Sequence, residues 1–350
     1  MSDRVVVRLP NWLGDIVMAL PALGAVRAAF PGARLAAAAP APLVPLLAAV
    51  PGVDEALALS AARGYARVRA DVTRLAAGSF DLAILFTNSF GTALSAWRAG
   101  VPERWGYRAD GRRLLLTRSV SRRAHRAAGT RHHSGYYTAL VAGLGISAPP
   151  VEARLDVPAA WRDRAARLLE EYGVSGDAVL VGVAPGAAYG GAKRYPPPRM
   201  AAVLRRLAAE TPAFVALLGA PADRETGHAI ESELRRTAGD AGVGGRVVNL
   251  IGGTDLPALA GVIARCRAFV SNDSGAMHLA AAAGVHVAAI FGPTDERATH
   301  PLGPHTVIQQ PVFCRPCLLR ECPIDHRCMT RIAPDAVFAA LAPHLPGAAR

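Results

Sequence analysis

The sequence predicts an α/β chain of two doubly wound, Rossmann-like domains facing across a cleft, and three observations carry that expectation. Short apolar runs alternate along the chain with longer stretches of helical period, which puts parallel strands beneath covering helices. The chain has 350 residues, more than one hydrophobic core usually serves. The alternation pauses once, at the Pro-containing stretch "GLGISAPPVEARLDVP" (143–158), and then starts afresh. Domains are expected at residues 1–157 and 158–350, with the last helix free to pack back on the first domain.

Taken in order, "RVVVRL" (4–9) reads as a strand, "DIVMALPALGAVRAAF" (15–30) as a helix containing Pro21, and "ARLAAAA" (33–39) as the next strand. "DLAILFT" (81–87) reads as a strand and "SFGTALSAWRAG" (89–100) as a helix. After the break come the strands "VLVGVAPG", "AFVALLG", "RVVNLIG", "AFVSND" and "HVAAIFG". Between them lie the helices "PPRMAAVLRRLAAE", "DRETGHAIESELRRT", "DLPALAGVIARC" and "SGAMHLAAAAG". No short internal repeat or low-complexity tract interrupts the pattern.

Composition excludes several classes. Hydrophobic residues make up 51% and charged residues 19%, which rules out a disordered chain. Residues 35–53 and 274–294 carry no Asp, Glu, Lys or Arg, yet the first holds Pro40, Pro42, Pro45 and Pro51, and the second Gly284, His278 and His286. Both are expected to be elements buried in protein rather than membrane spans. The N-terminal apolar pattern is broken by Asn11, Gly14 and Asp15, unlike a signal peptide, so a cytoplasmic protein is expected. The net charge of +12 favours anionic partners. It is concentrated in residues 104–131, where Arg104, Arg108, Arg112, Arg113, Arg118, Arg122, Arg123, Arg126 and Arg131 face one acid, Asp110, with His125, His132 and His133 between them. An anionic-ligand face and a solvated surface both fit that run.

Ligands of doubly wound sheets bind beyond the carboxyl ends of the strands, so the polar loops there are the candidate site. In "SNDSGAM" (271–277), Asn272, Asp273, Ser274 and Gly275 fall where a strand ends and a helix begins. A helix start offers unpaired N–H groups and partial positive charge to a phosphate, although Asp273 or Ser274 could simply cap the helix. "PGAAYGGAKRYP" (185–196) carries Lys193, the only lysine of the chain. A compact ammonium in a Gly-rich loop suits a diphosphate, and replacing it is expected to leave folding intact. The spacing of a Walker loop is absent. "GAPADRETG" (219–227) offers Asp223 and Glu225 to ribose hydroxyls or to helix capping. No G-x-G-x-x-G with a following acid supports a nicotinamide or flavin cofactor. In the first half, Asp15 of "RLPNWLGDIVMALPAL" stands at a helix mouth, as an N-cap or as a general base.

Five stretches, "RLPNWLGDIVMALPAL", "TNSFGTALSAWRAGVPERWGYR", "PGAAYGGAKRYP", "SNDSGAMHLAAAAGVHVAAIFGPTD" and "CRPCLLRECPIDHRCM", together resemble glycosyltransferase family 9 along nearly the full length. These are the heptosyltransferases of Gram-negative lipopolysaccharide core synthesis, and the likeness is to the branch that adds the second heptose. The resemblance implies a GT-B fold and an inverting transfer of L-glycero-D-manno-heptose from ADP-heptose, bound by the C-terminal half, to a lipid A–Kdo–heptose acceptor bound by the N-terminal half. It implies Asp15 as the base, Lys193 as a catalytic diphosphate contact and Glu225 as a ribose contact. Asp273, Ser274, Gly275 and His278 would complete the donor site. Asn11, Asn88, Arg104 and Arg108 would meet the acceptor. No cofactor is implied, and no Asp-x-Asp pair is present to hold a metal. The basic run would contact phosphates of the lipid or the inner leaflet of the inner membrane, placing the enzyme peripherally on its cytoplasmic side.

A related glycosyltransferase with another sugar or acceptor shares every donor feature. A nucleic-acid-binding protein would explain the charge but needs stacking aromatics among the arginines, where only Trp105, Tyr107, Tyr136 and Tyr137 stand near; nucleic acid is not expected. The spacing of Cys314, Cys317, Cys322, His326 and Cys328 could hold zinc, but it is tight for such a site, and reduced thiols in a packed loop are the preferred reading.

Overall fold

The computed structural model describes residues 2–60, 62, 64–123, 129–147, 152–237 and 244–347. The chain divides into two compact units, Met1–Asp156 and Val157–Arg350.

The first unit holds a six-stranded sheet of β1 (Arg4–Arg8), β2 (Arg34–Pro40), β3 (Glu55–Leu59), β4 (Leu82–Leu85), β5 (Glu103–Tyr107) and β6 (Arg118–Val120). Their order is β3-β2-β1-β4-β5-β6, with every pairing parallel. The central strands read as unbroken apolar runs because both faces are covered: Val5, Val6 and Val7 of β1 and Leu35 to Ala39 of β2 are at most 1% exposed. The helix Leu13–Ala29 is apolar on nearly every side and packs against the helix Ser134–Gly143.

The second unit repeats the plan with β7 (Leu180–Ala184), β8 (Phe214–Leu217), β9 (Val247–Asn249), β10 (Ala268–Asn272), β11 (His286–Phe291) and β12 (His305–Gln309). The order is β12-β11-β10-β7-β8-β9, again all parallel. The final helix, Pro334–Leu341, buries Val337, Phe338 and Leu341 within this unit, against the helix Pro197–Glu210 and the strands β10 to β12.

Of the charge-free stretches, the second is an interior segment made of the helix Gly275–Ala282 and β11, whereas the first buries β2 but exposes Ala41, Pro42, Pro45 and Ala48 in its 3-10 stretch Ala41–Ala49, a surface connection kept only partly inward by Leu46, Leu47 and Ala49. Among the described residues no helix is long and apolar enough to cross a membrane. Each sheet reverses its winding beside its first strand, between β1 and β4 and between β7 and β10. Loops at the carboxyl ends of those strands therefore diverge and leave a crevice.

Candidate active site

In the first unit the crevice is a cavity of about 800 Å³. Its wall includes Asn11, Trp12 and Asp15 after β1, Thr87 and Asn88 after β4, and Arg122, Arg123, His133, Tyr136 and Tyr137 from the following segments. Asp15 sits in the first turn of its helix, three positions after the N-cap. That cap position belongs to Trp12, which makes no side-chain cap bond, so Asp15 is not the N-cap. One carboxylate oxygen, Oδ1, lies 3.8 Å from Nε2 of His133. The same ring nitrogen is 3.2 Å from the Tyr137 hydroxyl, and the ring stacks on Tyr136 with centroids 5.8 Å apart. Burial, and then the negative charge of Asp15, hold the Tyr137 phenol well above its ordinary range.

Two buried arginines orient the cavity's asparagines. Arg8 donates through Nη2 to Oδ1 of Asn11 at 2.6 Å, and Arg112 through Nη2 to Oδ1 of Asn88 at 3.5 Å. Arg112 is wholly buried and also donates to the carbonyls of Tyr107 (2.9 Å) and Thr87 (2.5 Å). Desolvation lowers the pKa of each guanidinium to about 10. With its oxygen taken, the Asn88 amide donates to the Tyr136 hydroxyl.

The basic run is therefore not one ligand face. Arg104 spends its guanidinium on the carbonyls of Leu115 (2.7 Å), Val101 (2.5 Å) and Pro102 (2.8 Å), while Arg108 is exposed away from the cavity wall. Arg122 and Arg123 line the cavity instead. His125 and Arg126 lie outside the described residues. Spacing along the chain could not separate these arginines, because burial and direction depend on which strand each one follows.

In the second unit the loops after β7 and β10 meet. Lys193 Nζ donates to Oδ2 of Asp273 at 2.6 Å, and the Thr294 hydroxyl donates to the same oxygen at 2.7 Å. The ammonium also lies 4.7 Å from the centre of the Tyr189 ring. An ammonium has three donors, so donors remain for an anion. Asn272, wholly buried, ties the two loops by accepting from Tyr195 N (3.1 Å) and donating to Pro185 O (2.7 Å). The expectation that removing Lys193 disturbs nothing buried is overturned, since Asp273 is only 6% exposed.

Neither polar residue at the helix start caps it by side chain. Ser274 occupies the N-cap of Gly275–Ala282 without a cap bond and pairs its hydroxyl with Ser271 at 3.0 Å. The leading N–H groups beside Gly275 can thus serve an anion. His278 is buried (3% exposed), so it packs beneath this helix start rather than facing solvent. Asp223 turns inward, accepting from Ala220 N at 3.1 Å with Arg194 Nη2 3.9 Å away. Any Cβ on Gly186 would stand 2.1 Å from the Asp223 carboxyl carbon, so only glycine permits that approach. Glu225, in the first turn of the helix Arg224–Thr237, is exposed and is the carboxylate left for a ligand.

Cys314, Cys317 and Cys322 are half-buried and Cys328 is buried, its thiol raised by burial and by the three neighbouring sulfurs. Among the described residues no three His, Cys, Asp or Glu side chains are placed to hold a metal. Sequence reasoning gave no role to Trp12, Tyr189 or Thr294, although each lies within a motif, and took Tyr136 only as an aromatic near the arginines.

Comparison with known proteins gives a consistent picture. Residues 68–327 match glycosyltransferase family 9 (heptosyltransferase). The chain is 31% identical over 310 residues to lipopolysaccharide heptosyltransferase 2 of Escherichia coli K12, covering 85% of each protein. It is 29% identical over 322 residues to lipooligosaccharide heptosyltransferase 2 of Haemophilus ducreyi, covering 87% of this chain and 88% of that one. Among solved structures, the ADP-heptose lipopolysaccharide heptosyltransferase II of E. coli matches with a TM-score of 0.79 at 28% identity, covering 97% of each chain.

Proposed function

Because the chain belongs to glycosyltransferase family 9, and is thus a glycosyltransferase of the GT-B fold type, we propose that it moves L-glycero-D-manno-heptose from ADP-heptose to the second-heptose position of the lipopolysaccharide inner core. The observation that carries this reading is that each sheet gathers the needed side chains at its own point of winding reversal: Asp15 with Asn11 and Asn88 in one unit, and Lys193, Asp273 and Gly275 in the other.

The chemistry is a single displacement at the anomeric carbon, which inverts its configuration. Asp15 takes the proton of the acceptor hydroxyl as the new bond forms. Lys193 and the N–H groups at Gly275 stabilise the negative charge on departing ADP, and Glu225 accepts from the ribose. Arg122 and Arg123 bring positive charge to acceptor phosphates, and the remaining exposed arginines meet the anionic inner leaflet from its cytoplasmic side. Arg112 is buried and Arg104 is spent on carbonyls, which favours a small anionic group in the cavity over nucleic acid.

The test incubates the enzyme with ADP-heptose and a lipid A–Kdo–heptose acceptor and follows the product by mass spectrometry. One added heptose with release of ADP is expected. Turnover with a different ADP-sugar, and none with ADP-heptose, would replace the sugar while keeping the fold and the site.

A further inference from the structure

The cysteine-bearing segment, residues 314–328, is not used by the proposed reaction, yet it fastens to the loop that carries Lys193 and to the loop after β11, whose Thr294 hydroxyl reaches Asp273. At one end, Arg315 donates to the carbonyls of Gly292 (2.6 Å) and Thr294 (2.9 Å) and to Glu296 (2.6 Å). Thr294 is the residue whose hydroxyl reaches Asp273. At the other end, Glu321 Oε1 accepts from Gly191 N at 2.9 Å, Arg320 O accepts from Ala192 N at 2.9 Å, and His326 Nε2 lies 2.7 Å from Ala192 O. A carbonyl can only accept, so Nε2 of His326 carries the proton. Gly190 completes the contact, because any Cβ there would stand 2.3 Å from Arg320 O. His326 holds a left-handed backbone (φ 56°), a conformation that a non-glycine residue keeps only where its surroundings impose it.

We propose that residues 314–328 form a strap that positions Lys193 for the diphosphate of a nucleotide-sugar donor, with Glu321 and His326 as the positioning residues. The strap acts on the peptide units just before Lys193: with the N–H groups of Gly191 and Ala192 and the Ala192 carbonyl tied down, the ammonium has one approach to Asp273 and to a ligand. The proposal rests on the reading of Lys193 as a diphosphate contact.

ADP titrated calorimetrically into the full-length chain tests it, with Glu321→Ala, His326→Ala, His326→Gln, Lys193→Ala and the combination of Lys193→Ala with His326→Ala. Glu321→Ala and His326→Ala are each expected to weaken ADP about tenfold, the scale of one lost hydrogen bond near a charged site. His326→Gln, which keeps a donor near the Nε2 position, recovers most of that loss. Thermal unfolding of Glu321→Ala, whose side chain is exposed, stays close to wild type. If the strap works through Lys193, His326→Ala costs nothing further in the Lys193→Ala background. Losses that simply add, or strap variants that bind ADP like wild type while Lys193→Ala does not, overturn the strap alone. Full ADP affinity in Lys193→Ala overturns the diphosphate reading of Lys193 and the strap with it.

Discussion

The ammonium of Lys193 and the carboxylate of Asp273 meet at 2.6 Å, with side-chain exposures of 12% and 6%. The pair joins the loops after β7 and β10, 80 residues apart in the chain. Breaking a pair so enclosed leaves a buried charge, whereas a surface pair would cost little.

Replacing Lys193 is therefore expected to affect both stability and binding. Lys193→Ala leaves Asp273 with the Thr294 hydroxyl as a remaining partner, and unfolding in urea should show a loss of about 2–3 kcal/mol, below the full cost of a broken buried pair. Adding Asp273→Asn removes the stranded charge, so stability should largely return while ADP binding stays weak. A single variant as stable as wild type would show that the pair bears no load in the fold.

Asp15 separates its two readings more sharply than its sequence context does. Because Trp12 holds the N-cap position, Asp15→Asn removes no cap; it removes a charge in the first helical turn, worth about 0.3–1 kcal/mol, that also faces His133 3.8 Å away. On the general-base reading kcat falls by roughly 10²-fold or more, while ADP affinity and thermal unfolding barely change. Sugar transfer at near wild-type rate would take Asp15 out of the mechanism, leaving the base to be sought elsewhere on the cavity wall.

A third expectation concerns acid stability. His286 at the start of β11 has its pKa lowered to about 4 by burial and by its neighbours His344 and His305; its ring stacks on His344 at 3.7 Å and its Nε2 lies 3.0 Å from the Thr306 hydroxyl. The unfolded chain takes a proton there near pH 6.5, whereas the folded chain resists until about pH 4. The stabilisation is complete above pH 6.5 and is lost as pH falls through 4. Urea midpoints of wild type and His286→Gln compared at pH 7.5 and pH 4.5 should therefore show a smaller acid-induced drop in the variant; equal drops would remove His286 from the acid response.

The innermost strands were readable from the sequence because burial on both faces writes itself as an unbroken apolar run, as in "RVVVR" and "HVAAIF". Of the four edge strands only β9, within "RVVNLIG", was readable in this way. β3 and β6 lie at one sheet's edges and β12 at an edge of the other, and their half-exposed residues, as in "RSV" and "HTVIQ", mix polar with apolar and lose the signal. β5, next to the edge, hides in the same way behind "ERWGY".

For the site, the loops that carry polar residues at strand ends can be read locally, since glycine turns, a lone lysine and a polar knot before a helix are all short-range features. Asp15, Lys193 and Asp273 were legible in that sense, whereas Asn11 and Asn88 were pointed to by the family resemblance alone. What each side chain meets was set by the packed fold. It buried Arg112 and turned it to Asn88, spent Arg104 on backbone carbonyls, brought Arg122 and Arg123 to the cavity, and paired Lys193 with Asp273. The physical reason is that a guanidinium or carboxylate looks the same in a sequence whether water or protein surrounds it. Its role is set by desolvation and by partners that only strand order brings within 3 to 4 Å.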